Sequence, residues 1–382
     1  MARPPASRTT TPRSRAAART RCDSATRSGR GAAIIWVSLK EVHAMCGTPH
    51  HSHGDSPSSH ARDVDPRLYF DRDIAPTREV SPAETFVVDT VDCTGGLIKS
   101  ENDLIGSLDD LISQLGGMNY VTGPIAVKGA RAGDILRVTV VDIDPAPDTH
   151  QGFIAVVPGF GALVYDNGRG LGEQIAPSTT ICPVTRDEVI LPLPTGAVRL
   201  PSRPFIGTIG VAPTYERRMT LSQSPDYLGD LDIPDLRAGS TIHVRANHDG
   251  GLLSIGDVHA AQGDGEVAGV AVEIAARVTL RVDVTPRGET QVRRLPLLVD
   301  AEQVGVVAAF QGLPTSLCVR SAFVELCELL TRLGMTQADA IKYLSAAARV
   351  RIGNMFEPFY SAFVSVGRAT LPVTLPEDLI PS

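Results

Sequence analysis

A mainly β, turn-rich fold with few helices is what the sequence predicts, and three observations carry the prediction. Glycine (35) and proline (28) crowd a chain of 382 residues whose aromatic share is only 5%, which points to many turns and short elements. Four separate runs alternate apolar and polar residues with the period of a half-buried strand. Helical periodicity is confined to one short segment and to a pair of segments near the C-terminus, read as an αα-hairpin. A hydrophobic content of 43% and a charged content of 21% are ordinary globular values, and at roughly 100 to 200 residues per domain the chain has length enough for a sizeable core.

Charge separates a head from a body. Residues 1–62 hold nine arginines and Lys40 against Asp23, Glu41 and Asp55, a net +7, while the remainder carries −14. The first thirty residues are Arg, Ala, Ser, Thr and Pro without apolar periodicity, so they bury too little surface to offset ordering entropy and are expected to be disordered. Three readings compete for this head: a basic nucleic-acid arm, an Arg-rich transit peptide, or sequence upstream of a start at Met45. No aromatic residue interleaves these arginines as base stacking requires, so the third reading is favoured and no nucleic-acid partner is expected. His50, His51, His53 and His60 stand among Gly, Ser and Pro, which suits a solvated loop better than a metal site. The expected division is a basic, His-rich extension over 1–62 and a folded domain over 63–382.

Along the body, Glu84 to Asp92 is the first strand candidate. Ser107-x-x-Asp110 then opens a short helix that Leu115 ends before Gly116-Gly117. Asp134 to Asp144 alternates Leu136, Val138 and Val140 with Arg137 and Thr139; Ser240 to Ala246 and Val278 to Val284 repeat the pattern. Leu317 to Leu333 places Val319, Phe323, Leu326, Leu330 and Leu333 at helical steps and stops at Gly334. Thr336-x-x-Asp339 caps a second helix expected to reach about Arg351, and from Pro358 the chain reads as a proline-punctuated tail. No run of about 18 apolar residues exists to span a membrane, and Ala32 to Leu39 is too brief for a signal-peptide core. The six cysteines are dispersed without C-x-x-C spacing, so no disulfide framework or thiolate zinc knuckle is expected, and a reducing cytoplasm fits.

Chemistry concentrates between Arg245 and Arg277, where no Lys or Arg occurs but Asp249, Asp257, Asp264, Glu266, Glu273, His248 and His259 do. Their neighbours are mostly Gly, Ala, Val, Leu and Ile. Desolvating carboxylates without a cation is costly, so they either protonate or find a metal. If Asp257 to His259 is extended, both polar side chains project on one face; Gly263 and Gly265 let the chain double back and bring Glu266 towards His259. One imidazole with two or three carboxylates suits Zn²⁺ with an open water position, or a harder ion such as Ca²⁺ where oxygens dominate. His248 has the look of a turn residue, and His150 and His243 read as surface residues. Neither H-E-x-x-H nor a G-G-S-S-G nucleophile loop is present; Cys93, beside Asp92, is the one alternative nucleophile.

Gly256 to Glu266 (GDVHAAQGDGE), Gly123 to Asp134, Pro204 to Pro213, Gly229 to Asp232, Leu236 to Ser240, Asp89 to Asp92 and Gly334 to Ala348 together resemble the acetamidase/formamidase family over roughly residues 66–352. The resemblance implies a mainly β fold of intertwined, sandwich-like subdomains, hydrolysis of small aliphatic amides to carboxylate and ammonia, a divalent metal and a homo-oligomer. Carried to this sequence it marks Asp92, Asp257, His259, Asp264 and Glu266 as the candidate site; the roles within it are inferred from residue chemistry, with His259, Asp257, Asp92 and Glu266 as metal ligands, zinc first and calcium second, and Glu266, Asp92 and Asp264 as catalytic carboxyls. The chain departs from the family's pattern near Leu68-Tyr69-Phe70, where a His is common, and at Asp230, where an Asn is common. The alternative from another class is a non-catalytic protein of the same fold that binds a metal or a small amide.

Overall fold

The computed structural model describes residues 65–163, 169–172, 175–290, 292 and 294–380. The chain divides into units Met1–Ser59 and His60–Ser382. The first unit, with Met45 and three of the four clustered histidines, lies wholly outside the described residues, and so does His60.

Two large sheets dominate, antiparallel except where Arg78–Val80 runs parallel to Val121–Val127. In the eight-stranded sheet, Thr241–Arg245, Ile135–Pro145, Ala276–Thr285 and Thr85–Thr90 are consecutive neighbours, and these are the four runs whose alternation marks them in the sequence. Val138 faces Val282 across one pair and Ile143 faces Val278, so the apolar face of each strand meets that of the next. The sheet continues through Leu297–Val299 and Gln303–Ala309 to Phe359–Gly367 and Arg349–Phe356. The ten-stranded sheet runs from Gln223–Ser224 through Leu228–Asp230, Phe205–Val211, Leu253–Ala261, Val272–Ile274 and Gln151–Val156 to Ser178–Pro183, with Val121–Val127 also on Leu253–Ala261. Consecutive stretches of chain alternate between the two sheets, which is the intertwining that the sequence resemblance implies. One continuous core draws Val138, Leu280 and Ile242 from the first sheet and Ile206, Ile255 and Val258 from the second.

Three α-helices occur among the described residues. α1 (Leu108–Leu115) starts on the Ser107 hydroxyl, which accepts from Asp110 N, and stops at Gly116 with φ 79°. α2 (Thr315–Arg332) and α3 (Gln337–Ala347) form the C-terminal hairpin, the latter capped by Thr336 on Asp339 N. The buried stripe of α2 is Cys318, Ala322, Leu326, Leu329 and Leu330, with Val319 and Phe323 half-buried at its margin. It packs on Val304, Val306, Ala362 and Val364 of the eight-stranded sheet. Leu330 is 1% exposed, so Leu330→Ala is expected to cost about 2 to 5 kcal/mol in denaturant unfolding. A loss below about 1 kcal/mol would show the helix to be peripheral to the core.

Three sequence expectations are corrected. The second hairpin helix ends at Ala347 rather than near Arg351, because the β-branched stretch Arg349–Phe356 forms an edge strand. Beyond Pro358, Phe359–Gly367 is no tail: it pairs with strands on both sides. Its residues are buried on both faces, which erases the alternation that would have revealed it. His243 is 1% exposed rather than a surface residue. Its ring nitrogens lie 3.4 Å from Leu297 O and 3.3 Å from Asp378 O, and burial pulls its pKa down to about 4.

Candidate active site

The strand Leu253–Ala261 runs through the middle of the ten-stranded sheet and carries the centre. Its partner Phe205–Val211 pairs Thr208 with Gly256 and Ile206 with Val258, so Asp257 opposes Gly207 at an irregularity where Asp257 takes φ 52°. A non-glycine residue in that region costs on the order of 1 to 3 kcal/mol and is held only by its surroundings. The glycine opposite is required: a Cβ on Gly207 would stand 2.6 Å from Asp257 O and 2.7 Å from Asp232 Oδ1. On the other side, His259 is in register with Glu273 of Val272–Ile274. After the strand, Gly265 at φ 86° and Glu266 at φ 41° turn the chain back, which leaves Glu266 Oε1 3.9 Å from His259 Nδ1.

The result is one imidazole amid five buried carboxylates. His259 Nε2 lies 3.2 Å from Glu273 Oε2, 3.4 Å from Asp257 Oδ1 and 3.8 Å from Asp232 Oδ1. Asp230 completes the set behind Asp232: Asn119 Nδ2 donates to its Oδ1 at 2.6 Å and Asn354 Nδ2 to its Oδ2 at 2.7 Å. Asn354 also reaches Asp232 Oδ2 at 2.9 Å. The Thr208 hydroxyl sits 2.9 Å from Asp257 Oδ2 and 3.1 Å from Asp230 Oδ1; it has one proton for two acceptors, so one of these carboxyls is protonated or otherwise compensated.

Electrostatics follow from that crowding. Burial, reinforced by Asp232, pushes Asp230 and Glu266 well above the ordinary carboxylate range. Burial likewise raises Asp232, and it lifts Glu273 to about 7. Asp257 goes the other way: burial opposes its charge, but the adjacent His259 and the hydrogen bonds from His259 and Thr208 hold it down. For His259 burial disfavours the cation, yet Glu273 and Asp257 outweigh it and raise the imidazole well above its usual value. A single imidazolium cannot neutralise five carboxylates, so the site holds excess protons or a cation.

A divalent ion fits the donor set. Asp232 Oδ1 and Glu273 Oε2 are buried without hydrogen-bond partners, although buried carboxylate oxygens are ordinarily satisfied. Donor atoms of Asp232, His259 and Glu266 lie within 4.8 Å of one another, and so do those of Asp230, Asp232 and Asp257. Imidazole nitrogen with carboxylate oxygens is a ligand set for zinc, and for calcium where oxygens dominate.

Of the residues marked by the sequence, Asp257, His259 and Glu266 are brought together. Asp92 is not: its Oδ1 caps a turn, accepting from Thr94 N at 2.9 Å, Thr94 Oγ1 at 2.7 Å and Gly96 N at 3.0 Å. Asp264 is exposed and bound by Arg351 Nη1 at 2.8 Å. The segment that lacks bases in sequence does not lack them in space, since Arg351 reaches Asp264 and Arg131 reaches Asp249 at 2.9 Å. Asp230, Asp232 and Glu273 were visible only as motif letters or as members of the acidic run. Asn119 and Asn354 carried no sequence signal, because isolated amides have none, and Thr208 and Gln262 lie inside segments of the family resemblance without a feature of their own to mark a role. Burial, Glu273 and Asp257 raise the Cys93 thiol well above its ordinary value, which disfavours the thiolate a cysteine nucleophile needs.

The cluster encloses a cavity of about 10 Å³ walled by Met118, Phe160, Leu221 and Phe356, room for about one water. Among the five carboxylates only Glu266 also lines the neighbouring open cleft of about 860 Å³.

Fold and site together define a mainly β protein with a buried imidazole–carboxylate centre that lines a small cavity together with Met118, Phe160, Leu221 and Phe356. The acetamidase/formamidase family model matches residues 57–228 and 216–365, and the chain belongs to that family. It is 30% identical to the acetamidase of Bacillus halodurans in its crystal structure, with a TM-score of 0.70 over 81% of this chain and 98% of that one. The acetamidase structure from Yersinia enterocolitica is 29% identical, with a TM-score of 0.72 over 80% and 89%. The formamidase of Methylophilus methylotrophus is 23% identical over 364 residues, 78% of this chain and 86% of that protein. A relative from Schizosaccharomyces pombe, 25% identical, is spanned over 63% of its length and 56% of this chain.

Proposed function

We propose that this chain hydrolyses small aliphatic amides of the formamide and acetamide type to carboxylate and ammonia, using a divalent ion, zinc before calcium. The observation that carries the reading is the pair of unpartnered buried oxygens, Asp232 Oδ1 and Glu273 Oε2, in one cluster with the Nε2 of His259. His259, Asp232, Asp257 and Glu273 would hold the ion. When bound, it supplies Lewis-acid polarisation of the amide carbonyl and a lowered pKa for water.

Glu266 stands on the Nδ1 side of the imidazole and borders the open cleft. Burial and Asp232 hold its carboxyl well above the ordinary range, which suits a group that takes a proton from water and returns it to the departing nitrogen. Asn119 and Asn354 fix the two carboxylate oxygens of Asp230 beside the ligand set. Met118, Phe160, Leu221 and Phe356 would present apolar surface to the acyl group; with room for about one water, the cavity has to widen to admit it, which favours the smallest amides. The family resemblance supports a homo-oligomer, and the free cysteines 93, 182, 318 and 327 fit a reducing cytoplasm. No helix among the described residues is long and apolar enough to cross a membrane.

Ammonia release from formamide, acetamide, propionamide and urea after zinc reconstitution tests the reading. Turnover of the smallest amides is expected, and none from any of the four would leave a binding protein of the same fold. Leu221→Ala, by widening the wall, is expected to raise the propionamide-to-formamide ratio of kcat/KM by about 10-fold or more. An unchanged ratio would remove Leu221 from the acyl pocket.

A further inference from the structure

Gln262 lies just past the strand that carries His259, and its amide is fully committed. Its Nε2 donates to Asp232 O at 2.9 Å and to Gly353 O at 3.1 Å. Two carbonyl oxygens can be satisfied only by the NH₂ end of the side chain, and the reversed amide would set oxygen against oxygen twice. Its Oε1 therefore faces His259 Nδ1, at 2.8 Å. A carbonyl oxygen accepts and never donates, so the proton of that bond sits on Nδ1.

We propose that Gln262 is a positioning residue that holds His259 with its proton on Nδ1, so that Nε2, the nitrogen facing Asp232, Asp257 and Glu273, is the atom that binds the divalent ion. The inference rests on the metal reading above. The ring nitrogen that takes the metal is set by the hydrogen bond made at the other one. The edge of Phe205 packs against the imidazole, with centroids 5.1 Å apart and planes at 79°, and keeps the ring from turning over. The same amide grips the backbone of Asp232, whose Oδ1 is one of the unpartnered oxygens. One side chain thus fixes the tautomer of one ligand and the backbone of another. It also ties both to Gly353, next to Asn354, which bonds the carboxylates of Asp230 and Asp232.

The test uses the full chain labelled with ¹⁵N-histidine, with zinc as the probe, in native, Gln262→Leu and Gln262→Glu proteins. Zinc affinity is measured by competition with a chromophoric chelator, and the ring nitrogens are read by long-range ¹H–¹⁵N correlation, with His259 assigned by its absence in His259→Asn. In the native protein the proton is expected on Nδ1 and zinc on Nε2. Gln262→Leu should lose that preference and bind zinc about 10- to 100-fold more weakly. Gln262→Glu keeps the acceptor but loses both donors to the backbone, so it should keep the Nδ1 proton and bind zinc more weakly than native but more tightly than Gln262→Leu. A purely structural tie predicts instead that Glu is as damaging as Leu. Zinc on Nδ1 of the native protein, or native affinity in Gln262→Leu, would overturn the proposal. A native chain that takes up no zinc would sink the metal reading alone, and an Nδ1 proton that exchanges slowly in that chain but rapidly in Gln262→Leu would still uphold the positioning role.

Discussion

His259→Asn is expected to lose divalent-ion retention and amide turnover together, with kcat/KM falling on the order of 10³-fold. The imidazole Nε2 stands between the three carboxylates at 3.2, 3.4 and 3.8 Å, so removing it takes away both a ligand and the charge that they surround. Truncation to alanine would also leave a hole amid like charges; breaking a buried ion pair costs about 3 to 5 kcal/mol, and His259→Ala is expected to be the less stable of the two. Asparagine fills part of the space and can still donate towards Gln262, which separates loss of the ion from loss of the fold. Elemental analysis and ammonia release on a folded variant, checked by circular dichroism, decide the outcome. Retained turnover without bound metal would send the search for a nucleophile back to Cys93.

Glu266→Gln is expected to divide those two properties. An amide cannot take a proton from water, so kcat should fall about 10²- to 10⁴-fold, while zinc content stays near native because the ligands lie on the Nε2 side. The variant should also change stability in a defined direction. The folded-state pKa of Glu266 is raised above its unfolded value, so the folded protein keeps a proton that the unfolded chain gives up. That contribution is present at low pH and is lost as pH climbs from the ordinary glutamate range through the raised value. Glutamine has no proton to lose, so chelator-treated Glu266→Gln should lose less of its melting temperature than chelator-treated native protein over the same rise in pH. Loss of zinc along with turnover would instead make Glu266 a ligand.

The reach of the sequence can be judged from particular residues. Alternation in Ile135–Pro145 and Ala276–Thr285 revealed strands because one face of each remains partly wet, whereas Phe359–Gly367, buried on both faces, reads as a featureless apolar run. Asp257 and His259 were legible as a pair because two residues apart on a strand means one face, and the glycines around Asp264 announced the turn that returns Glu266. Asp264 itself was misplaced because its cation, Arg351, is 87 residues away; proximity in sequence does not report pairing in space. Asp92 looked like a ligand for want of any sign that Thr94 and Gly96 would occupy it. Glu273 needed the register that sets it opposite His259, and Asp232 needed the crossing of separate segments of the sheet. Pairwise register and long-range crossings belong to the assembled core, and local patterning carries no trace of them.

The oxygens around His259 Nε2 are proposed as ligand atoms for an ion on which turnover depends. The most direct measurement is ammonia release from formamide by the full chain before chelation, after exhaustive chelation, and after return of zinc or calcium, with bound metal determined on the same samples. The predicted result is activity that disappears with the metal and comes back with it in native protein, but does not come back in His259→Asn. Undiminished ammonia release from native protein shown to be free of metal would contradict the account.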